Sequence, residues 1–354
     1  MTASSDAGAR NARFPPARRR LALLAIAGIT ASIGIVAFVG LVDAAWMVDI
    51  RRNLGASRDL LAGDFGRDGG YLYSPFAALV TVPLTWLPEP VAAATWLAIG
   101  LSILVAGVAS TTRRLPFADR VLVALSVVTF VPVLYDLMLG NVTTVLTAGV
   151  ALVAWREDRT HHGILLGLAL AAAPKPGLIP VLVWMLIFRR RALLGAAATA
   201  TLAVLASVTL VGVGPFVAWV NVLRSPDYLS SPMAGNMALG SLAMPVSALL
   251  ALAAIGLALA ALRRGPWPAL GAAICLGLLV SPYTLAYAAE VLLVAVPALA
   301  SKSPLVTAIF AVTASAGVIV GFPLWVACAL CICVFLPSSS WPFSPPVWAP
   351  EDPS

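Results

Sequence analysis

The segment LALLAIAGITASIGIVAFVGL, residues 21–41, is a continuous apolar run that directly follows three arginines, Arg18, Arg19 and Arg20. A helix needs roughly 20 apolar residues to cross a bilayer, whereas the apolar part of a signal peptide has about 7–15. We therefore expect this run to form a first membrane-spanning helix and not a cleaved leader. Basic residues concentrate on the cytoplasmic side of membrane proteins, so the arginines predict that the span exits on the external face.

The rest of the chain repeats this pattern. Of its 354 residues, 61% are hydrophobic and 10% are charged, against about 25% charged residues in a soluble domain. Apolar runs alternate with short basic clusters, which predicts an all-α polytopic membrane protein of about twelve transmembrane helices with both termini in the cytoplasm. After 21–41 the predicted spans are residues 91–109, 121–134, 144–155, 163–173, 178–188, 193–213, 239–262, 269–280, 284–299, 304–320 and 322–336. The formal net charge of +7 then marks cytoplasmic faces and does not indicate nucleic-acid binding.

The two ends of the chain and one internal segment are not predicted to span. Residues 1–20 are polar and basic and residues 337–354 are Pro/Ser-rich, so we expect disordered tails around a membrane domain, 21–336. Residues 75–86 are amphipathic and short, and they contain Pro83, which interrupts a helix. We expect a helix at the membrane surface there, with a true span as the alternative.

Two polar segments, residues 43–70 and 214–236, are predicted to be external loops. The first segment, which continues into an aromatic stretch to give a loop of residues 43–74, carries five acids and four arginines. These residues are Asp43, Asp49, Asp59, Asp64, Asp68, Arg51, Arg52, Arg58 and Arg67. Because most other basic residues fall on the predicted cytoplasmic side, the charges of this loop are exceptions that indicate a functional role.

Lys175 is the second exception. It lies between two apolar segments of about 11 residues, each about 16 Å long as a helix, whereas the hydrocarbon core is about 30 Å thick. The segments predict either short spans beneath a deep external cavity or a re-entrant hairpin. An ionisable residue near or within the membrane is a candidate functional residue, and the flanking Pro174 and Pro176 leave backbone amides unpaired. A lysine beside free amides suits a phosphate, and a snorkelling lysine in a turn is the alternative.

A series of motifs runs through the chain in a fixed order. The motifs are DIRRNLGASRDLLAGD (49–64), YLYSPFAAL (71–79), PLTWLP (83–88), LGNVT (139–143), APKP (173–176), GN (235–236) and SPY (281–283). This series resembles glycosyltransferase family 87, the polyprenyl-phosphate-mannose-dependent α-mannosyltransferases of the GT-C superclass. After the SP pair the family has Trp and His, whereas this chain has Tyr283, Tyr287 and Glu290. The resemblance implies a GT-C-like bundle with an external catalytic loop.

The resemblance also implies roles for individual residues. Sugar transfer from a lipid phosphate needs a base for the acceptor hydroxyl and positive groups for the leaving phosphate. Asp49 aligns with the family's base, with Asp43 as the alternate base, and a helix cap or an ion pair is the structural alternative for either. The candidate phosphate-binding residues are Lys175, Arg51, Arg52 and Arg224, which could instead contact lipid headgroups. The candidate sugar- or acceptor-binding residues are Tyr71, Tyr73, Asn141, Asn236 and Tyr283, of which the tyrosines could instead be interfacial anchors.

The expected function is inverting transfer of a sugar from a polyprenyl-phosphate-linked donor to a glycolipid or glycan of the cell envelope. Mannose is the family's usual sugar, with arabinose as the close relative, and the site is expected on the external face of a bacterial plasma membrane. No nucleotide loop or His/Asp ligand cluster is present in the sequence, so we expect no metal and no cofactor. A solute or lipid transporter and a non-catalytic homologue are the alternatives; a transporter is expected to show an internal repeat and several mid-membrane charges.

Overall fold

The computed structural model describes residues 28, 47–66, 71–113, 120, 124, 127, 130–224, 244–281 and 286–295. Every element within these ranges is an α-helix or a 3-10 helix, which confirms the predicted all-α class. Several sequence predictions lie outside the described residues, namely the spans 21–41, 304–320 and 322–336 and the tails 1–20 and 337–354.

The predicted external loop 43–74 contains a helix, α1 (Val48–Ala62). Ile50 and Leu54 are four residues apart and so lie on one helical face, where both are buried against the segment that leads into the next long helix. The helix ends at Gly63, whose φ of 81° is the left-handed conformation that glycine adopts at helix C-termini. Most of the described part of this segment is therefore an amphipathic helix and not an irregular loop.

The amphipathic segment 75–86 forms the short helix that its sequence predicts. It consists of α2 (Pro75–Thr81) and a 3-10 turn (Val82–Trp86). Proline is well tolerated in the first turn, where its missing N–H needs no partner, and the change of helix type at residue 82 coincides with Pro83. The Trp86 side chain is 78% exposed, as is usual for aromatic residues at a membrane interface.

Nine further α-helices follow in the described ranges. They are α3 (Glu89–Thr112), α4 (Val131–Leu139), α5 (Thr143–Trp155), α6 (Ile164–Ala172), α7 (Ile179–Phe188), α8 (Arg190–Val211), α9 (Gly214–Arg224), α10 (Met244–Leu262) and α11 (Pro266–Val280). Short 3-10 helices precede α6 and α7, and a longer 3-10 helix (Ala286–Ala295) follows α11. With 9 and 10 residues, α6 and α7 are as short as the sequence predicts.

Three helices, α3, α8 and α10, are long and apolar enough to cross a membrane, with 24, 22 and 19 residues. Most of their surface faces outward, and exposed leucines such as Leu202, Leu210 and Leu249 give them a lipid-compatible exterior. The chain is therefore a membrane protein, and the larger number of spans stays a prediction for the shorter and undescribed segments.

One predicted boundary is wrong. The polar loop predicted at 214–236 begins with α9, because the apolar residues in this part of the segment recur at helical spacing. The helix α4 begins at Val131 after the extended Phe130 and stops at Gly140, which is again left-handed with a φ of 70°. This end lies near the predicted end of the segment 121–134.

The helical packing brings distant turns to one end of the bundle. α5 packs against α3, α6 and the 3-10 helix Ala286–Ala295, and α11 packs against α7 and α10. Met47, just before α1, donates its backbone N–H to the Met138 carbonyl near the end of α4 at 2.7 Å. Ser74, just before α2, donates its N–H to the Ala172 carbonyl at the end of α6 at 2.9 Å. The start of α1, the α4–α5 turn and the α6–α7 connection therefore meet.

Candidate functional site

Asp49, in the first turn of α1, lies at this meeting point. Its Oδ2 accepts a hydrogen bond from Asn141 Nδ2 at 2.7 Å and another from the Tyr73 hydroxyl at 3.3 Å. Asn141 belongs to the α4–α5 turn and is only 6% exposed, while Tyr73 belongs to the aromatic stretch before α2. Three segments thus hold one carboxylate.

The orientation of the Asn141 side chain follows from its other contacts. Its Oδ1 accepts from the backbone N–H of Val142 at 2.7 Å and of Thr143 at 3.2 Å, and from the Thr143 hydroxyl at 3.1 Å. Because only the carbonyl oxygen can accept these bonds, the amide nitrogen must point toward Asp49. The same contacts satisfy amide groups at the start of α5, which have no partner within the helix.

Lys175 completes a chain of hydrogen bonds that runs in one direction. Its Nζ donates to Thr143 Oγ1, Thr143 donates to Asn141, and Asn141 donates to Asp49. The lysine also interacts electrostatically with Asp49. The hydrogen bonds in such a chain polarise one another. The ammonium group at one end and the carboxylate at the other therefore favour the same donor-to-acceptor direction in every bond. The predicted phosphate ligand and the predicted base therefore belong to one network.

The backbone geometry of Gly140 makes the approach of α1 possible. With a φ of 70°, a Cβ at this position would lie 2.9 Å from Ile50 Cγ2 and 3.0 Å from Ile50 Cβ. A residue with a side chain would therefore be strained and would also push α1, which carries Asp49, away from Asn141. In the Leu-Gly-Asn sequence this glycine directly precedes Asn141, and its lack of a side chain lets α1 approach closely enough for Asn141 to reach Asp49.

Two of the three tyrosines predicted to bind sugar or acceptor, Tyr71 and Tyr73, lie within the described residues and differ in their contacts. Tyr71 donates to Asn53 Oδ1 at 2.7 Å and packs edge-on against Phe65 with the ring centroids 5.6 Å apart. Tyr71 therefore fastens its segment to α1, whereas Tyr73 contacts Asp49 directly. The Trp219 indole of α9 donates to the Leu72 carbonyl between them at 3.1 Å.

The predicted phosphate-binding arginines occupy three different environments. Arg52 is exposed and interacts electrostatically with Asp49. Arg51 forms an exposed ion pair with Glu89, with Nε 2.7 Å from Oε1, and such pairs contribute little to stability. Arg224 is exposed at the end of α9 and takes no part in the described hydrogen bonds around Asp49. The described contacts bring Arg52, and not Arg51 or Arg224, to the carboxylate.

The environment of Asp49 changes its acidity. Burial raises the pKa of the Asp49 carboxyl above its ordinary value, and the Asn141 hydrogen bond, the charges of Arg52 and Lys175 and the Tyr73 hydrogen bond oppose that rise. The pKa of Tyr71 is also raised, by burial and by the Asp49 charge, so its hydroxyl keeps its proton and donates to Asn53. A carboxylate with a raised pKa is a stronger base while still ionised at neutral pH.

Some predicted site residues are not among the described residues, and two residues that were not predicted lie next to the site. Asp43, Asn236 and Tyr283 lie outside the described residues. Asp136 and Glu290 were not predicted as site residues, yet both are fully buried and both interact electrostatically with Lys175. A single acid inside an apolar segment was the only sequence signal for either residue. No cluster of three or more potential metal ligands occurs within the described ranges.

Comparison with known proteins gives one match. The model of glycosyltransferase family 87 matches residues 71–285, which is more than half of the chain. The matched region includes Tyr73, Asn141 and Lys175 and begins after Asp49. No curated protein and no solved structure matches the chain significantly.

Proposed function

The chain belongs to glycosyltransferase family 87, and from this premise we propose that Asp49 is the general base of sugar transfer from a polyprenyl-phosphate-linked donor. Membership of the family makes the chain a membrane glycosyltransferase. In our proposal the donor sugar is mannose and the acceptor is a glycolipid or glycan of a bacterial cell envelope. The reaction takes place on the external face of the plasma membrane and inverts the anomeric centre.

One observation carries this proposal: a partly buried carboxylate is connected to a lysine through Asn141 and Thr143 in a one-way chain of hydrogen bonds. Transfer requires a base on the acceptor side and a positive group on the leaving-group side of the anomeric carbon. Asp49 and Lys175 supply these two groups from different parts of the chain. Both bonds described at Asp49 end on Oδ2, and in our proposal Oδ1 accepts the proton of the incoming hydroxyl.

The proposed reaction is a single displacement. The acceptor oxygen forms a bond to the anomeric carbon while its proton moves to Asp49. The bond between the anomeric carbon and the phosphate oxygen breaks, and its electron pair leaves with the lipid phosphate. Lys175 stabilises the negative charge that develops on this phosphate. Because one base acts on the acceptor and no covalent intermediate forms, the product has the inverted configuration.

The experiment that tests this function uses membranes from cells that produce the protein. These membranes are incubated with radiolabelled polyprenyl-phosphate-mannose and extracted envelope lipids, and labelled products are separated by chromatography. We expect labelled glycolipid with the wild type and almost none with Asp49→Asn. Asp59→Asn is the matched control, because Asp59 lies on the same helix and takes no part in the described network around Asp49.

Two outcomes of this experiment would contradict the proposal. Equal labelling by Asp49→Asn and wild type would remove Asp49 as the base and favour Asp43 or a non-enzymatic role. Transfer directly from a nucleotide sugar, or transfer that stops on addition of a chelator, would contradict the donor and the metal-free mechanism. Labelling with polyprenyl-phosphate-arabinose alone would replace mannose while leaving the base unchanged.

A further inference from the structure

Two buried acids interact electrostatically with Lys175 in addition to Asp49. Asp136 of α4 and Glu290 of the 3-10 helix Ala286–Ala295 are both 0% exposed. The Thr144 hydroxyl lies 2.7 Å from Asp136 Oδ2 and 3.2 Å from Glu290 Oε2. The Thr144 backbone N–H also donates to Asp136 Oδ2 at 3.0 Å. One threonine therefore bridges two buried carboxyl groups.

The hydrogen bonds of the Thr144 hydroxyl indicate how many protons the two carboxyl groups carry. A hydroxyl has one hydrogen to donate, so Thr144 can donate to one carboxylate only. The second contact becomes favourable when the other carboxyl group carries a proton and donates it to the hydroxyl oxygen. The shorter distance and the additional backbone N–H identify Asp136 as the ionised acceptor, and Glu290 is then the protonated acid.

The burial of Asp136 and Glu290 also favours one proton on the pair. Within the described ranges, Asp136 Oδ1 and Glu290 Oε1 are buried and have no hydrogen-bond partner. Two ionised carboxylates in this position would repel each other, and removing a charge from water without full pairing costs several kcal/mol. A single shared proton removes the repulsion and leaves one negative charge next to Lys175.

Acidic and hydroxyl groups from four elements of the described ranges act on Lys175. Asp136 on α4 gives the largest electrostatic interaction, followed by Asp49 on α1 and Glu290 on the 3-10 helix, and Thr143 on α5 accepts its hydrogen bond. An ionised Asp136 can therefore balance the ammonium group. Asp49 then does not have to serve as the permanent counter-ion and remains available to accept a proton.

We propose that Asp136 and Glu290, bridged by Thr144, share one proton and act as positioning residues that keep the Lys175 ammonium group charged and aligned with Asp49. This inference rests on the proposed function, since the purpose of the charged lysine is to bind the donor phosphate. Loss of the shared proton would place a surplus negative charge next to that phosphate. A second proton would remove the counter-charge of Lys175.

The test measures Lys175 directly. The chain has two lysines, Lys175 and Lys302, so acetylation by acetic anhydride can be followed at both by mass spectrometry of the purified full-length protein across a pH series. Lys302 in the same molecules is the reference. We expect Asp136→Asn to make Lys175 reactive at a pH lower by about one unit, which corresponds to a tenfold change in its proton equilibrium.

Two further variants separate the roles of the cluster. Glu290→Gln keeps a neutral hydrogen-bond donor in place of the protonated acid, so its Lys175 acetylation profile should shift much less than that of Asp136→Asn. Thr144→Val removes the bridging hydroxyl at nearly constant volume and should shift Lys175 in the same direction as Asp136→Asn. Thermal unfolding of each variant shows whether it folds, and Thr144→Val keeps the test decisive if Asp136→Asn does not.

The outcomes distinguish this inference from the proposed function. An unchanged Lys175 profile in folded Asp136→Asn and Thr144→Val would overturn the positioning role. A shift of the Lys175 profile in Glu290→Gln as large as that in Asp136→Asn would overturn it as well. The labelling requires no substrate. A shifted Lys175 profile in a protein that transfers no sugar would therefore support the cluster while contradicting the donor proposal.

Discussion

At the scale of single residues, Asp49 combines burial, which raises its pKa, with hydrogen bonds from Asn141 and Tyr73 that oppose this rise. Replacing it with asparagine keeps size and hydrogen-bonding capacity but removes the ability to accept a proton near neutral pH. We expect Asp49→Asn to lower the transfer rate by about 10²–10⁴-fold, the usual contribution of a general base. Donor binding, measured separately with labelled lipid phosphate sugar, should remain close to that of the wild type. Loss of donor binding together with turnover would instead indicate a structural role.

Asn141 sets the acidity of Asp49, and its removal should change the pH dependence of transfer. Its hydrogen bond is the largest influence that opposes the burial-induced rise of the Asp49 pKa. In Asn141→Ala the pKa of Asp49 should therefore rise further. Because transfer needs the ionised carboxylate, activity is lost as pH falls through this pKa, so the acidic limb of the kcat/KM profile should move to higher pH.

Tyr73→Phe is the matched control for this prediction. Its bond to Asp49 is longer, at 3.3 Å, and is the smallest of the influences on the Asp49 pKa. The acidic limb should therefore move in the same direction by a smaller amount. A limb that moves to lower pH in Asn141→Ala would contradict the orientation of the Asn141 amide.

At the scale of helices and turns, the sequence predicted much of the fold and little of the network. Apolar run length is a local property, and it placed α3, α5, α8 and α11 to within a few residues. The contact between Asn141 and Asp49 joins residues 92 positions apart, and no local pattern encodes such a distance. The resemblance supplied both residues as candidates, while their hydrogen bond, and the role of Thr143 between Asn141 and Lys175, required the structure.

Gly140 controls the docking of α1, and its substitution can be compared with a second glycine. Gly140→Ala introduces left-handed strain of about 1–2 kcal/mol and places a Cβ against Ile50. Gly63→Ala introduces the same kind of strain, with a φ of 81°, where nothing lies within 4 Å. Both variants should be less stable by thermal unfolding, but only Gly140→Ala should lose most of its transfer activity. Equal activity losses would indicate that strain alone is responsible.

Gly277 of α11 positions the turn that carries Lys175. A Cβ on Gly277 would lie 1.7 Å from the Gly177 carbonyl oxygen, so Gly277→Ala must displace the backbone two residues after Lys175. We expect a raised KM for the lipid donor, because the ammonium group moves away from the phosphate. Gly256→Ala in α10, where a Cβ meets nothing within 4 Å, is the control and should leave the KM unchanged.

At the scale of the whole molecule, the helices that carry the site are shorter than the helices that are long enough to cross a membrane. α5 has 13 residues and is about 20 Å long, against about 30 Å for the hydrocarbon core. α3, with 24 residues, is about 36 Å long. In our proposal the site at the end of α5 lies below the membrane surface, where a lipid phosphate approaches from the bilayer while the acceptor enters from water. The deep external cavity stays a prediction.

The distribution of charge along the bundle argues for an external site. Asp49 and Lys175 lie at the end of the bundle where α5 begins, and Arg156 follows the opposite end of α5. The Arg189 guanidinium donates to the Val153 carbonyl at that opposite end at 3.2 Å, which places the basic turn before α8 there as well. Basic residues concentrate on the cytoplasmic side, so the end that carries the site is predicted to face outward.

Accessibility labelling tests this orientation in intact cells. In a background without the native cysteines, Arg58→Cys reports on the exposed side of α1 and Arg113→Cys on the residue that ends α3; both arginines are exposed. A membrane-impermeant maleimide added to intact cells should label position 58 and should label position 113 only after permeabilisation. The reverse pattern would put Asp49 in the cytoplasm, where a lipid-linked sugar presented on the external leaflet could not reach it. Glu89 at the start of α3 pairs with Arg51 of α1, so α1 lies near the end of α3 that is opposite to Arg113, and the labelling of the two positions reports the orientation of the site.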